Sequence, residues 1–151
     1  MATHFQTSSS ERNELPQATL RFLVGWHETQ EGIIRPGGEL IIWYDSERLP
    51  DCRLWWREAL FWDNEVSICF HPGGQRYSSS TQKEIRYSSP GGSPGPVIGY
   101  ESKPVSFAVP IDAMQVEMWF HSFLPEQVGG NSCEAWDSRF GQNYWYDVVR
   151  D

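Results

Sequence analysis

Apolar and polar residues alternate most regularly near the C-terminus. Over 116–121, Val116, Met118 and Phe120 alternate with Glu117, Trp119 and His121, and farther on Tyr144, Tyr146 and Val148 alternate with Trp145 and Asp147. A period of two is the signature of a strand with one buried face. Between the two runs, 137–141 carries turn chemistry: Asp137 and Ser138 can bond their own backbone, and Gly141 tolerates positive φ.

The same reading extends upstream. Residues 18–28 predict one strand, with Leu20, Phe22, Val24 and Trp26 on one face, Arg21, Leu23 and His27 on the other, and Gly25 as a bulge. After a turn at 36–38, residues 39–45 are apolar on both faces, as in a central or covered strand. Residues 54–62 read as a helical turn or an irregular strand. Residues 65–71 place Val66, Ile68 and Phe70 inward, and Pro72-Gly73-Gly74 turns into a strand over 75–80. A short strand is expected over 83–87. Residues 88–96, rich in Pro and Gly, read as a long surface loop; residues 104–109 read as a strand, and 124–132 as a Gly-rich loop. Short strands separated by turns, with no long amphipathic helix, predict an all-β, immunoglobulin-like antiparallel β-sandwich of about seven or eight strands over 18–151, after a flexible tail over 1–17.

Composition changes this picture in three ways. Eight Trp, six Tyr and eight Phe favour strands and make good contact surfaces, and most of these rings are expected in the core. A net charge of -8 excludes a nucleic-acid backbone and an anionic membrane as partners, and is compatible with a neutral ligand. Three cysteines and no basic-then-apolar leader argue against a disulfide framework and for a cytoplasmic location, with release by another route left open. No cofactor is expected, since the chain has no phosphate-binding loop, nucleophile elbow or visible triad. No metal is expected either: Cys52, Cys69, His71 and Cys133 lack zinc-ligand spacing, and Cys69, sharing a strand face with His71, reads as a core cysteine.

The stretch Trp136-Asp137-Ser138-Arg139-Phe140-Gly141-Gln142-Asn143-Tyr144 resembles the closing signature of the family-21 starch- and glycogen-binding modules, Trp-Asp-Asn-Asn-x-Gly-x-Asn-Tyr. Residues 105–110 and 116–120 resemble the segment before it in that family, and about 45 residues are covered well. Small uncharacterised bacterial domains share this ending too. The resemblance implies an immunoglobulin-like sandwich on which surface aromatics stack against glucose rings and loop asparagines, here Asn143, bond the hydroxyls. The middle of the motif departs, with Ser138, Arg139 and Phe140 in place of the asparagine-bearing stretch.

If the strands at 116–121 and 144–148 pair, Glu117, Trp119, His121, Trp145 and Asp147 share one outer face. Indoles there offer a stacking platform and carboxylates accept hydroxyl protons. Trp55 and Trp56 form a second candidate, because neighbours on a strand cannot both point inward, with Arg53 or Arg57 available to stack on the exposed one. The expectation is a non-catalytic module binding a neutral, carbohydrate-like ligand through these aromatics. The alternatives are a small biosynthetic enzyme of cyclase or isomerase type with an aromatic-lined pocket, in which Glu117, Asp147 or His121 supplies acid–base chemistry, and a protein-interaction module that uses strand edges. Oligomeric state is left open.

Overall fold

The computed structural model describes residues 15–88 and 90–150. The tail expected over 1–17 falls outside the described residues as far as 14, and Gln17 already belongs to the first strand.

Strand alternation in the sequence becomes burial alternation in the molecule. In β1 (Gln17–Leu23) Ala18, Leu20 and Phe22 are buried, and in β3 (Glu39–Tyr44) Leu40, Ile42 and Tyr44 are. These two strands run parallel side by side, with β2 (His27–Glu31) outside β1 and β10 (Val105–Ala108) outside β3, both antiparallel. β3 therefore has a strand on each side, with its outer-face residues Ile41 and Trp43 half-buried. The opposing sheet is built on β6 (Asp63–His71) and β11 (Gln115–Phe123), with β7 (Gln75–Ser80) beside β6. On its other side, β11 pairs with β13 (Tyr144–Asp147) along its first half and with β12 (Glu134–Asp137) along its second. Val66, Ile68 and Phe70 from β6 and Val116, Met118 and Phe120 from β11 meet the inner face of the first sheet in one core, so the architecture is an all-β sandwich.

Two antiparallel pairs stand beside the sandwich. β4 (Leu54–Trp56) and β5 (Ala59–Phe61) form a hairpin whose corner residues Arg57 and Glu58 both take positive φ. That corner lacks the Asn-Gly or Asp-Gly pair that marks such hairpins in sequence. β8 (Gln82–Ser88) pairs with β9 (Pro94–Ser102), so the strand begins inside the stretch expected to be loop. Its prolines are accommodated by register shifts opposite Arg86 in a pair with free outer edges.

The expected strand over 18–28 is also a hairpin. Gly25 and Trp26 take φ of 87° and 61°, the chain reverses, and Leu23 pairs with His27. Val24 and Trp26 have the right parity for the core but sit exposed at the bend. The argument against a disulfide framework is corrected at one pair: Cys52 and Cys133, 81 residues apart in sequence, form a disulfide, while Cys69 is free and buried.

Candidate functional site

The edges of the two sheets meet at β2 and at β12–β13, and there the core gives way to a buried polar network. Arg48, in the loop after β3, is 4% exposed and uses every N–H it has. Its Nε donates to Asp137 Oδ2 at 2.8 Å, Nη1 to the carbonyls of Leu23 and His27, and Nη2 to Glu28 Oε2 and the Tyr144 hydroxyl. Asp137 also accepts from Tyr44 at 2.7 Å and from Tyr144 at 2.6 Å. Burial, then the charge of Asp137, pushes the Tyr44 phenol well above its ordinary pKa, and burial with the bond to Asp137 raises that of Tyr144. Burial opposes the charge on Arg48, but the bond to Asp137 outweighs it and the guanidinium is held more firmly protonated than usual. The Cys52–Cys133 disulfide backs this network: Cys52 follows Arg48 closely in the chain and Cys133 precedes Asp137 closely, so both halves of the buried ion pair are tied covalently.

Over the network lies a cleft of about 660 Å³, lined by Trp26, Glu28, Arg48, Trp136–Asp137–Ser138–Arg139–Phe140 and Tyr144. Its rim is aromatic. Trp26 is 59% exposed, Trp136 55%, and Phe140 entirely. Trp26 at φ 61° and Phe140 at φ 58°, next to Arg139 at 51°, hold left-handed backbone that bulky L-residues seldom adopt. Trp136 is fixed by stacking on His121 at 3.9 Å and 12°. Trp26 lies over the Arg48 guanidinium at 4.9 Å.

The residues expected to form a site are partly brought together. Glu117, Trp145, Gln115 and Asp147 face one another across β11 and β13, and His121 faces Trp136 across β11 and β12, so these side chains share the outer face of that sheet. Trp119, on the same face opposite Ser67, is half-buried. His71 stacks on Trp145 at 5.1 Å and meets Glu117 Oε1 at 2.8 Å, while Asn143 donates to Glu117 Oε2 at 2.7 Å. Burial pulls the Glu117 carboxyl upward, but the bonds from Asn143 and His71 outweigh it and hold it below its ordinary pKa. His121 Nε2 lies 2.7 Å from Glu134 Oε2, off the line a ring N–H needs for a hydrogen bond. Trp55 and Trp56 stand apart on the β4–β5 hairpin, both exposed, with Arg57 over Trp56 at 4.4 Å and Arg53 over Trp62 at 4.5 Å.

A family model described as a family of unknown function, DUF6209, matches residues 8–149. The chain belongs to DUF6209. No curated protein and no solved structure matches it.

In this DUF6209 chain the closing stretch 136–144 has a structural explanation at most of its positions. Asp137 and Tyr144 are buried in the network, and Gly141, at φ 85°, completes a run of three left-handed residues. Asn143, also left-handed, anchors Glu117. Trp136 and Phe140 are the rings that remain displayed. Sequence reasoning missed Trp26, Glu28, Arg48 and Phe140 as members of the site. Phe140 carried a signal, a large ring beside Gly141 inside a turn; Trp26 was hidden by its core-like parity; Arg48 carried none, because its partners are distant in the chain.

Proposed function

We propose that this DUF6209 chain is a non-catalytic binding module for a neutral, carbohydrate-like ligand held in the cleft between Trp26, Trp136 and Phe140. The observation that carries the reading is that Trp26 and Phe140, two large exposed rings, are kept on left-handed backbone around one cleft. Strain of this kind is retained where surrounding structure enforces it, often at sites of ligand contact. The cleft volume lies within the range of about 300–1,000 Å³ typical of small-molecule sites. Apolar sugar faces suit the rings, and the rim groups Glu28, Ser138 and Arg139 suit hydroxyl edges. The charges around the space balance, Arg48 and Arg139 against Glu28 and Asp137, which suits a ligand without net charge. Binding is favoured over catalysis because Arg48, Asp137, Tyr44 and Tyr144 spend their hydrogen bonds on one another, and both phenols are harder to ionise than usual. The Cys52–Cys133 disulfide favours an oxidising compartment over the cytoplasm.

Calorimetric titration with a panel of neutral oligosaccharides tests this reading. A sugar that binds is expected to lose about tenfold in affinity, roughly 1.4 kcal/mol, in Trp26→Ala and again in Trp136→Ala. A panel with no binder, or a binder indifferent to both changes, removes the proposal.

A further inference from the structure

The outer face of the β6–β11 sheet holds a second constellation, away from the cleft and independent of the reading above. Cys69 and His71 lie two apart on β6, and Glu117 on β11 is directly opposite Cys69 in the ladder. The Cys69 thiol, a His71 ring nitrogen and a Glu117 oxygen all lie within 4.8 Å of one another. Bonds of about 2.0–2.3 Å from sulfur, nitrogen and oxygen to one ion would draw such a set together by side-chain rotation.

We propose that Cys69, His71 and Glu117 form a site for a borderline-soft divalent cation of the Zn²⁺ class, with a fourth position left to water. Three observations support this beyond proximity. Cys69 is 2% exposed, and the contact recorded for its thiol is a weak one of 3.9 Å to the Phe70 carbonyl, so a buried sulfur is left without a strong partner. The other two ligands are held in place by neighbours: His71 by its stack on Trp145, and Glu117 by the 2.7 Å bond from Asn143. Outer partners of this kind are what orient metal ligands. Finally, His71 and Glu117 are 36% and 18% exposed, which gives the ion a path from solvent. The donor set discriminates among metals: thiolate and imidazole disfavour Ca²⁺ and Mg²⁺, which take oxygen. Arg76 faces Cys69 from β7, but it is exposed, so solvent screens its charge. Binding replaces the His71–Glu117 bond, leaves the imidazole neutral with its remaining proton on the ring nitrogen that does not face the ion, and releases the thiol proton of Cys69 to solvent.

Co²⁺ and Zn²⁺ titrations of the full chain, without reductant so that Cys52–Cys133 stays closed, test the site. Co²⁺ is expected to bind one per chain with a thiolate-to-cobalt charge-transfer band in the near ultraviolet. Cys69→Ala should abolish that band, and His71→Gln should weaken Zn²⁺ binding by about tenfold or more. Near-ultraviolet circular dichroism verifies that each variant is folded. No charge-transfer band, a band that persists in Cys69→Ala, or unchanged Zn²⁺ affinity in folded His71→Gln overturns the assignment.

Discussion

The cleft and the Cys69 corner draw on the same kinds of residue, a tryptophan over a nitrogen base with a carboxylate beside it, yet they finish their hydrogen bonds differently. Beneath the cleft, Arg48 and Asp137 close on each other and on Tyr44 and Tyr144, and all five N–H groups of the guanidinium are used. At the corner, His71 and Glu117 pair while the adjacent Cys69 thiol keeps only a weak contact. A buried polar group therefore says little about chemistry until its partners are counted. Saturation marks a scaffold, and a shortfall marks a place where something else can bind. In the cleft, the capacity left for a ligand lies in the rings above the network.

The contrast breaks most visibly at Asp137. Asp137→Ala leaves the Arg48 charge buried without its main partner, and a loss of about 3–5 kcal/mol in a urea unfolding series is expected. Cys69→Ala, which removes no strong bond, should cost far less in the same series. If the two variants unfold alike, the network is not the scaffold described. Next in size is the covalent backing of the ion pair. Replacing Cys52 and Cys133 together by Ala is expected to lower stability by about 2–4 kcal/mol, read by the same denaturant series.

A smaller effect has the opposite sign. Phe140 is fully exposed and left-handed, so Phe140→Gly relieves strain and forfeits no packing. It should raise stability by about 1 kcal/mol while weakening any ligand of the cleft. A variant that is less stable would show that the ring packs after all, and the argument from strain would fall.

Another prediction concerns alkaline pH. Burial, then the nearby charge of Glu28, raises the Tyr146 phenol from 10.0 to about 12, and Tyr44 and Tyr144 move in the same direction. A phenol raised by folding contributes stability that is intact below its unfolded value near pH 10 and is lost as pH rises through the folded value. The melting temperature should thus hold up to about pH 10 and fall toward pH 12, with a shallower fall in Tyr146→Phe. A melting temperature flat across that window would contradict the burial of these hydroxyls.

Much of the sandwich was legible because alternation and burial coincide: Leu20 and Phe22, Val66, Ile68 and Phe70, Val116, Met118 and Phe120 all face the core as their parity requires. Alternation misled where an apolar residue of core parity sits on a bend, as Val24 and Trp26 do, since hydrophobicity does not report φ. The β4–β5 corner and the start of β9 were illegible for a related reason: Arg57 and Glu58 hold left-handed backbone, and Pro94 and Pro96 lie in a strand, neither of which their residue types advertise. The outer-face group of Glu117, His121, Trp145 and Asp147 could be read once β11 and β13 were paired, because residues opposite each other in a ladder share a face.

The sequence by itself determined the all-β class and which faces of the longest strands are apolar, because period and side-chain chemistry are local properties. Only tertiary structure decided which cysteines join, that Arg48 meets Asp137, that Glu117 lies against Cys69 and His71, and that Trp26 comes to the same cleft as Phe140. Those juxtapositions depend on strand order and on left-handed turns, and both are set by how two sheets bury one core rather than by any residue's neighbours in the chain.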